Sequence, residues 1–470
     1  MAKYNKGLKI TDQDGRIYTL DQKIGRGGQG VVWTLKEGAL AVKFLKTNEG
    51  NRDDVRRRIQ RVNRLGLEDL PVAVPWVVLQ TPSVGYIMKL VRGLQPLSTL
   101  SKAPKESVTA WYLNSGSLKW RLRVLSVIAE VLSKLHSKGL AFADPSPNNF
   151  MISPKPSDTP KAYLIDADNM EVSSQTGSRI LYTPRYGAPE LVNEISGVTT
   201  LSDAYAFAVL AFEVLTLRHP LIGDDIDDGE SEEETKALAG HIPWIDHSCD
   251  NSNWCERGIY PREIVLSPPI KRLFKKTFED GLNDPQRRPG MGKWADELLK
   301  AADRTVCCNN CNGSYYSNQE RCPWCDSPVA NTRLARFLIW DPESTDNVKF
   351  LTTKKENGET EPRVVTVPRV VHSIDLQKNI SQKLHRRHFF SDPLTNADSP
   401  IAEITLIGKD ATVHNLGTSP LYARTFSASG LESEREISPG ETKNIPADGV
   451  NPRWYLHVGS LDTFHRALAL

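Results

Sequence analysis

Residues 25–32 read Gly25-Arg26-Gly27-Gly28-Gln29-Gly30-Val31-Val32, a GxGxxGxV string between two runs of strand-forming residues. A dinucleotide-binding glycine loop must lead into a helix, because the anion sits on the helix N-terminus. Here the chain continues as VVWTL, a strand, so the glycines mark the tip of a hairpin. Thirteen residues after Gly30, Ala41-Val42-Lys43 puts a lysine on the following strand. This is the arrangement in which a strand ammonium reaches nucleotide phosphates beneath a glycine loop. A glycine-rich turn is often only a hairpin, and a lone strand lysine is usually a solvated edge residue. The two at this spacing favour a phosphate-binding site.

Around that stretch, residues 8–91 alternate short β-type runs with turn signals and read as an antiparallel sheet. One helix interrupts it over Asp53–Leu65, with acids at its start and Val55, Ile59, Val62 and Leu65 on one face. After Ser117 apolar residues recur at three- and four-residue steps, so the second block is mainly α up to about Ala302. Within it, Ala204–Leu217 is the longest apolar stretch; it contains a glutamate and is too short to span a bilayer, which needs about 20 residues. From about Thr332 onward Val, Thr and Ile alternate with Pro and Gly turns, so the tail reads as all-β.

A length of 470 residues supports several domains, and 39% hydrophobic residues exclude wholesale disorder. The net charge of +2 gives no global field for nucleic acid or an anionic membrane. Nucleic acid is therefore a disfavoured partner, and no membrane segment is expected. The N-terminal residues lack the apolar core of a signal peptide, which points to the cytoplasm.

Further along, Asp144-Pro145-Ser146-Pro147-Asn148-Asn149 places a carboxylate and an amide in one loop, and Leu164-Ile165-Asp166 ends an apolar run on a second carboxylate. A base for a substrate hydroxyl and two oxygen ligands for Mg²⁺ require those groups. Each is a common turn or cap residue by itself. Their order after the glycine loop is what points to phosphoryl transfer.

At this point the chain resembles the eukaryotic-type protein kinase family. The likeness continues through Thr183-Pro184-Arg185-Tyr186-Gly187-Ala188-Pro189-Glu190, Ser202-Asp203 and Arg288-Pro289, over roughly residues 10–302. It implies an α+β, bilobal protein-kinase fold at 1–303, with a small lobe at 8–91 and a large lobe at 94–302. ATP would lie under Gly25, Gly27, Gly28 and Gly30, against Val32, Ala41, Met88 and Leu90, with Lys43 on its phosphates. Met88–Gly93 would be the hinge, Asp144 the catalytic base, and Asn149 and Asp166 the Mg²⁺ ligands. It also implies that Arg288 pairs with Glu190.

The departures from the family pattern matter too. Phe142-Ala143-Asp144 stands for His-Arg-Asp, Asp166-Ala167-Asp168 for Asp-Phe-Gly, and Ser146 for the usual lysine. No glutamate lies between Asn51 and Leu67 to pair with Lys43; Gln60 has the nearest spacing, with Asp53 and Asp54 as earlier candidates. The retained groups favour an atypical active Ser/Thr kinase acting on protein substrates, the alternative being a nucleotide-binding pseudokinase scaffold.

Cys308-x2-Cys311-x10-Cys322-x2-Cys325 sets two CxxC knuckles ten residues apart, a spacing suited to a structural Zn²⁺ site. A zinc ribbon is expected at 304–328, with Cys307 a bystander unless the register slips and it takes the place of Cys308, and a β-sandwich at 329–470. Kinase plus ribbon resembles the bacterial tellurite-resistance and stress-associated kinases, which implies as partners a metal-dependent protein phosphatase and a von Willebrand factor A-type protein. The segment from Ser399 loosely resembles forkhead-associated domains, without their phosphate-binding arginine and histidine. Three further features read as surface: the acidic run Asp224–Glu234, the triplet Arg386-Arg387-His388, and Cys249 with Cys255 near His247. Their functional alternatives are a docking patch for basic substrates, an anion site and a second metal site.

Overall fold

A computed structural model describes residues 4–27, 30–47, 51–81, 83–156, 159–174, 179–256, 262–342, 370–390, 399–427, 430–448 and 453–470. Gly28, Thr176 and Ser178 lie outside the described residues. The chain divides into two compact units, Met1–Ala301 and Ala302–Leu470.

In the first unit, strands β1 (Lys9–Thr11), β2 (Ile17–Arg26), β3 (Gly30–Leu35), β4 (Leu40–Leu45), β5 (Val77–Val78) and β6 (Gly85–Lys89) form one antiparallel sheet in the order β1-β2-β3-β4-β6-β5. Lys43 on β4 stands between Val32 on β3 and Tyr86 on β6. Both flanking strands begin on glycines that approach β4 too closely for a side chain. A Cβ at Gly30 would lie 2.2 Å from the Phe44 carbonyl oxygen, and one at Gly85 2.2 Å from that of Lys43.

The alternation of strand side chains sorts the small lobe into two cores. Trp33, Val42, Phe44 and Ile87 cluster on one face, while Ala41, Tyr86 and Met88 face helix α1 (Arg52–Asn63) on the other. Helix α1 buries Val55, Ile59 and Val62, the stripe that its sequence periodicity marks.

The large lobe is organised by two helices, Ser117–Ser137 and Thr200–Thr216. The second starts from a capping box in which Thr199 and Ser202 satisfy each other's backbone N–H groups. It is buried along nearly its whole length, with Phe212 edge-on to Phe274 at 5.0 Å and Phe207 edge-on to Trp294 at 5.7 Å. The apolar run in the sequence is therefore a core helix, and among the described residues no helix is long and apolar enough to cross a membrane. Short strands Leu140–Ala141, Phe150–Ile152 and Ala162–Leu164 bracket the loops that carry Asp144, Asn149 and Asp166.

The second unit opens with the hairpin Thr305–Cys307/Ser314–Tyr316. Two antiparallel sheets follow. The first, of six strands, runs Val370–Gln377, Thr332–Trp340, His465–Ala469, Tyr455–His457, Leu421–Ser427 and Gly430–Ile437. The second, of four, runs Gln382–His385, Pro400–Ile407, Asp410–Asn415 and Thr442–Pro446. Phe337, Leu376 and Leu468 from the first sheet share one core with Ile404, Val413 and Ile445 from the second. The all-β expectation needs one amendment: Arg386–Phe389 forms a short helix, capped by the side chains of His385 and His388.

Candidate active site

Lys43 is almost wholly buried at the floor of the small lobe. Its Nζ lies 2.8 Å from Asp168 Oδ1 and 3.2 Å from Asp166 Oδ1. Burial pulls the ammonium pKa down, but the two carboxylates more than offset this and hold it above its ordinary value. The residues expected to line the nucleotide, Val32, Ala41, Met88 and Leu90, belong to the same cluster beneath the sheet. Leu90 N–H donates to Ala39 O at 2.9 Å, which holds the chain within Met88–Gly93, the segment expected to be the hinge.

The partner of Lys43 differs from all three helix candidates. Gln60 is exposed, and Asp53 and Asp54 are exposed at the first turn of α1, Asp54 pairing with Arg57. Asp168 is the buried acid. Its Oδ1 also accepts from Tyr86 Oη at 2.7 Å, and its carbonyl accepts from Arg58 Nε of α1 at 2.9 Å. In the sequence the only signal was the third position of Asp166-Ala167-Asp168, where the family has glycine.

The loop that carries Asp144 hangs from Asp203 on the central helix. Asp203 Oδ2 accepts from Phe142 N–H at 2.5 Å, and Oδ1 accepts from Ala143 N–H at 2.9 Å. This holds Ala143 at φ 80°, a conformation an alanine does not adopt unaided. Asp144 then presents its carboxylate between two large-lobe groups. Thr183 Oγ1 donates to Oδ1 at 2.6 Å, Thr183 N–H donates to the same oxygen at 3.0 Å, and Asn149 Nδ2 donates to Oδ2 at 2.9 Å. Burial pushes the Asp144 carboxyl above its ordinary range despite these bonds.

Because both Asn149 Nδ2 bonds run to Asp144, its Oδ1 is the atom left for a cation. Asp166, also in the left-handed region at φ 64°, is partly exposed and supplies carboxylate oxygen. Hard oxygen donors of this kind suit Mg²⁺. Farther down, Arg288 grips Glu190 through both guanidinium nitrogens at 2.7 and 2.8 Å and stacks over Tyr205. This anchors the segment that begins at Thr183.

In the second unit the four sulfurs of Cys308, Cys311, Cys322 and Cys325 lie within 4.8 Å of one another, Cys308 to Cys325 at 3.6 Å and Cys311 to Cys322 at 3.7 Å. Tetrahedral thiolates at ~2.3 Å from zinc stand about 3.8 Å apart, so the set fits. The two knuckles are alike: Asn312 and Asp326 each follow the second cysteine at φ 58°, and their N–H groups return to the carbonyls of Cys308 and Cys322. Cys307 stands outside the set, and Gln377 holds both its backbone N–H and its carbonyl.

Two surface readings need correction. Arg387 and His388 are buried against Asp303, with His388 Nε2 at 3.1 Å and His372 Nε2 at 3.0 Å from Asp303 Oδ2. This cluster is a hydrogen-bond network and a poor cation site. His388 Nδ1 accepts from His385 N–H, so its proton is on Nε2 facing Asp303, where a metal would have to bind. Cys249, Cys255 and His247 gather no ligand set among the described residues, Cys255 instead facing Asp224 Oδ1 at 3.4 Å. Asp224 itself is buried, so the acidic run is not wholly a solvated loop.

The family model for the protein kinase domain matches residues 18–301, and the chain belongs to that family. It is 28% identical over 219 residues to the serine/threonine-protein kinase PkaB of Streptomyces coelicolor, covering 43% of this chain and 49% of that protein. It is 30% identical over 224 residues to the serine/threonine-protein kinase pkn2 of Myxococcus xanthus, covering 45% and 25%. With protein kinase YegI of Escherichia coli it shares 25% identity over 343 residues, covering 68% and 50%. The chain thus spans half or less of the length of these relatives.

Proposed function

We propose that the protein is an ATP- and Mg²⁺-dependent Ser/Thr protein kinase of atypical site composition. The observation that supports this reading is the hydrogen bond from Asn149 Nδ2 to Asp144 Oδ2 at 2.9 Å, which ties the proposed base to the proposed metal-ligand amide. A scaffold needs neither.

Lys43 would bind the α- and β-phosphates, with Gly25, Gly27 and Gly30 bordering the nucleotide. Asn149 and Asp166 would hold Mg²⁺, which would neutralise phosphate charge. Asp144 orients the substrate hydroxyl and accepts its proton as the hydroxyl oxygen bonds to the γ-phosphorus and ADP leaves. Ser146 offers no cation at the position of the usual lysine, so electrostatic stabilisation rests more heavily on Lys43 and the metal.

The same reading takes residues 1–303 as the kinase domain, 304–328 as a zinc ribbon and 329–470 as a β-sandwich for protein contacts. It places the enzyme in the bacterial cytoplasm, in stress or defence signalling with a metal-dependent phosphatase and a von Willebrand factor A-type protein. The test is transfer from γ-labelled ATP to the protein itself, to generic substrates and to those two partners, with Asp144→Asn as control. Transfer abolished by Asp144→Asn supports the kinase. ATP binding without any transfer would establish the scaffold instead.

A further inference from the structure

Lys43 has a partner, but the partner comes from the wrong lobe. The buried carboxylate of Asp168 belongs to the large-lobe segment after Asp166, and it reaches up between β4 and α1. Its Oδ1 takes both Lys43 Nζ at 2.8 Å and Tyr86 Oη at 2.7 Å. Among the described residues its Oδ2 accepts no hydrogen bond, and it faces Arg58 Nη2 at 3.8 Å. Arg58 Nε meanwhile holds the Asp168 carbonyl at 2.9 Å.

Every small-lobe group aimed at Asp168 is a donor. The polarity expected between helix and strand lysine is thus inverted, because α1 contributes a cation and the acid is supplied from below. We propose that Asp168 is the positioning residue for Lys43, and that Arg58 couples helix α1 to it, so that Asp168 does the work of the absent helix glutamate.

The physical reason is competition. A buried ammonium must be paired, and Asp166 is the other acid within reach, at 3.2 Å. Asp166 is also the carboxylate needed at Mg²⁺. With Asp168 present, Lys43 stays paired when Asp166 turns to the metal; without it, Lys43 and the metal contend for one carboxylate. The αL backbone at Asp166 and the fully buried Ala167 direct the two acids differently, one partly exposed to the cleft and one sealed.

This inference rests on the kinase reading for the role of Lys43, so its test measures nucleotide affinity and not transfer. Mg·ATP binding is measured by calorimetry on the full chain for Asp168→Asn, Lys43→Met and the double variant, with melting curves to verify folding. Asp168→Asn is expected to weaken Mg·ATP by about tenfold, the loss of one charge-assisted bond. In the Lys43→Met background the same change should cost nothing further, because Asp168 acts through Lys43.

Asp168→Glu should restore part of the loss, and Gln60→Ala and Asp53→Asn should bind as wild type. If Asp168→Asn does not fold, Arg58→Gln serves in the same cycle, with a smaller loss that also vanishes beside Lys43→Met. Additive losses, wild-type affinity in Asp168→Asn, or a loss in Gln60→Ala would overturn the inference while leaving the kinase reading intact. Wild-type protein that binds no ATP would overturn both.

Discussion

Thr183 donates its hydroxyl and its backbone N–H to the same oxygen of Asp144, at 2.6 and 3.0 Å. An ionised carboxylate offers about four lone-pair positions. Thr183 takes two on Oδ1 and Asn149 one on Oδ2, so a single direction on Oδ2 is left for an incoming hydroxyl. The segment that begins at Thr183 and the proposed base are thereby locked together.

Asp144→Asn removes the proposed base and keeps the shape. Phosphoryl transfer should fall by about 10²-fold or more, while Mg·ATP affinity stays near wild type, since the carboxylate acts on the acceptor. Thr183→Ala should lower kcat with little change in ATP affinity, and Thr183→Ser should retain most activity because it keeps the donor. Steady-state kinetics beside calorimetry check both. A large loss of ATP binding in Asp144→Asn would contradict the assignment.

Cys322 is buried in the ribbon and paired across the cluster with Cys311. The segment has almost no apolar core besides Val306, Tyr315 and Ala330, so on the zinc-ribbon reading its order would depend on the metal. Elemental analysis should find one zinc per chain, and Cys322→Ser should lose it and expose residues 305–328 to proteolysis. Freshly reduced protein without zinc would remove this claim.

What sequence could reveal was local. The stripe Val55, Ile59, Val62 lies on consecutive turns of one helix, and the CxxC knuckles close within a few residues, so periodicity and spacing carry both. The Gly loop, Lys43, Asp144, Asn149 and Asp166 could be proposed from the sequence because their order along the chain mirrors a known chemistry. Asp168 was not, because its meaning depends on burial between Lys43 and Tyr86, which are 125 and 82 residues away. Likewise Arg387 and His388 read as a basic surface until Asp303, 84 and 85 residues upstream, is placed against them.

His219 and His388 are both fully buried and held neutral, with burial as the main cause driving each pKa down to about 3. The folded state binds fewer protons than the unfolded chain at these sites. Their contribution to stability is therefore complete above the unfolded value of about 6.5 and is lost as pH falls from there toward about 3. Thermal melting should shift to lower temperature over that window. His219 Nδ1 accepts from Leu221 N–H and Nε2 contacts the Arg185 carbonyl, so His219→Gln should melt earlier at neutral pH and show a shallower acid slope. An unchanged slope would contradict the assignment.

A kinase switched on by loop phosphorylation uses an arginine immediately before the catalytic aspartate to bind the new phosphate. Here that residue is Ala143, whose N–H is committed to Asp203 and whose methyl group cannot bind a dianion. Arg179, the nearest substitute by sequence, already faces Glu171 at 3.9 Å, and Arg185 faces Glu234 at 3.2 Å. Activity should therefore not depend on phosphate in this segment. Ser173 must be left in place, because its hydroxyl accepts from Thr200 N–H at the start of the central helix and its loss would be a structural change. The measurement replaces Ser174, Thr176 and Ser178 together by Ala and compares the rate with phosphatase-treated wild type. Equal rates are expected; a loss beyond about tenfold, equivalent to ~1.4 kcal/mol of barrier, would show that a phosphate on this segment supports catalysis after all.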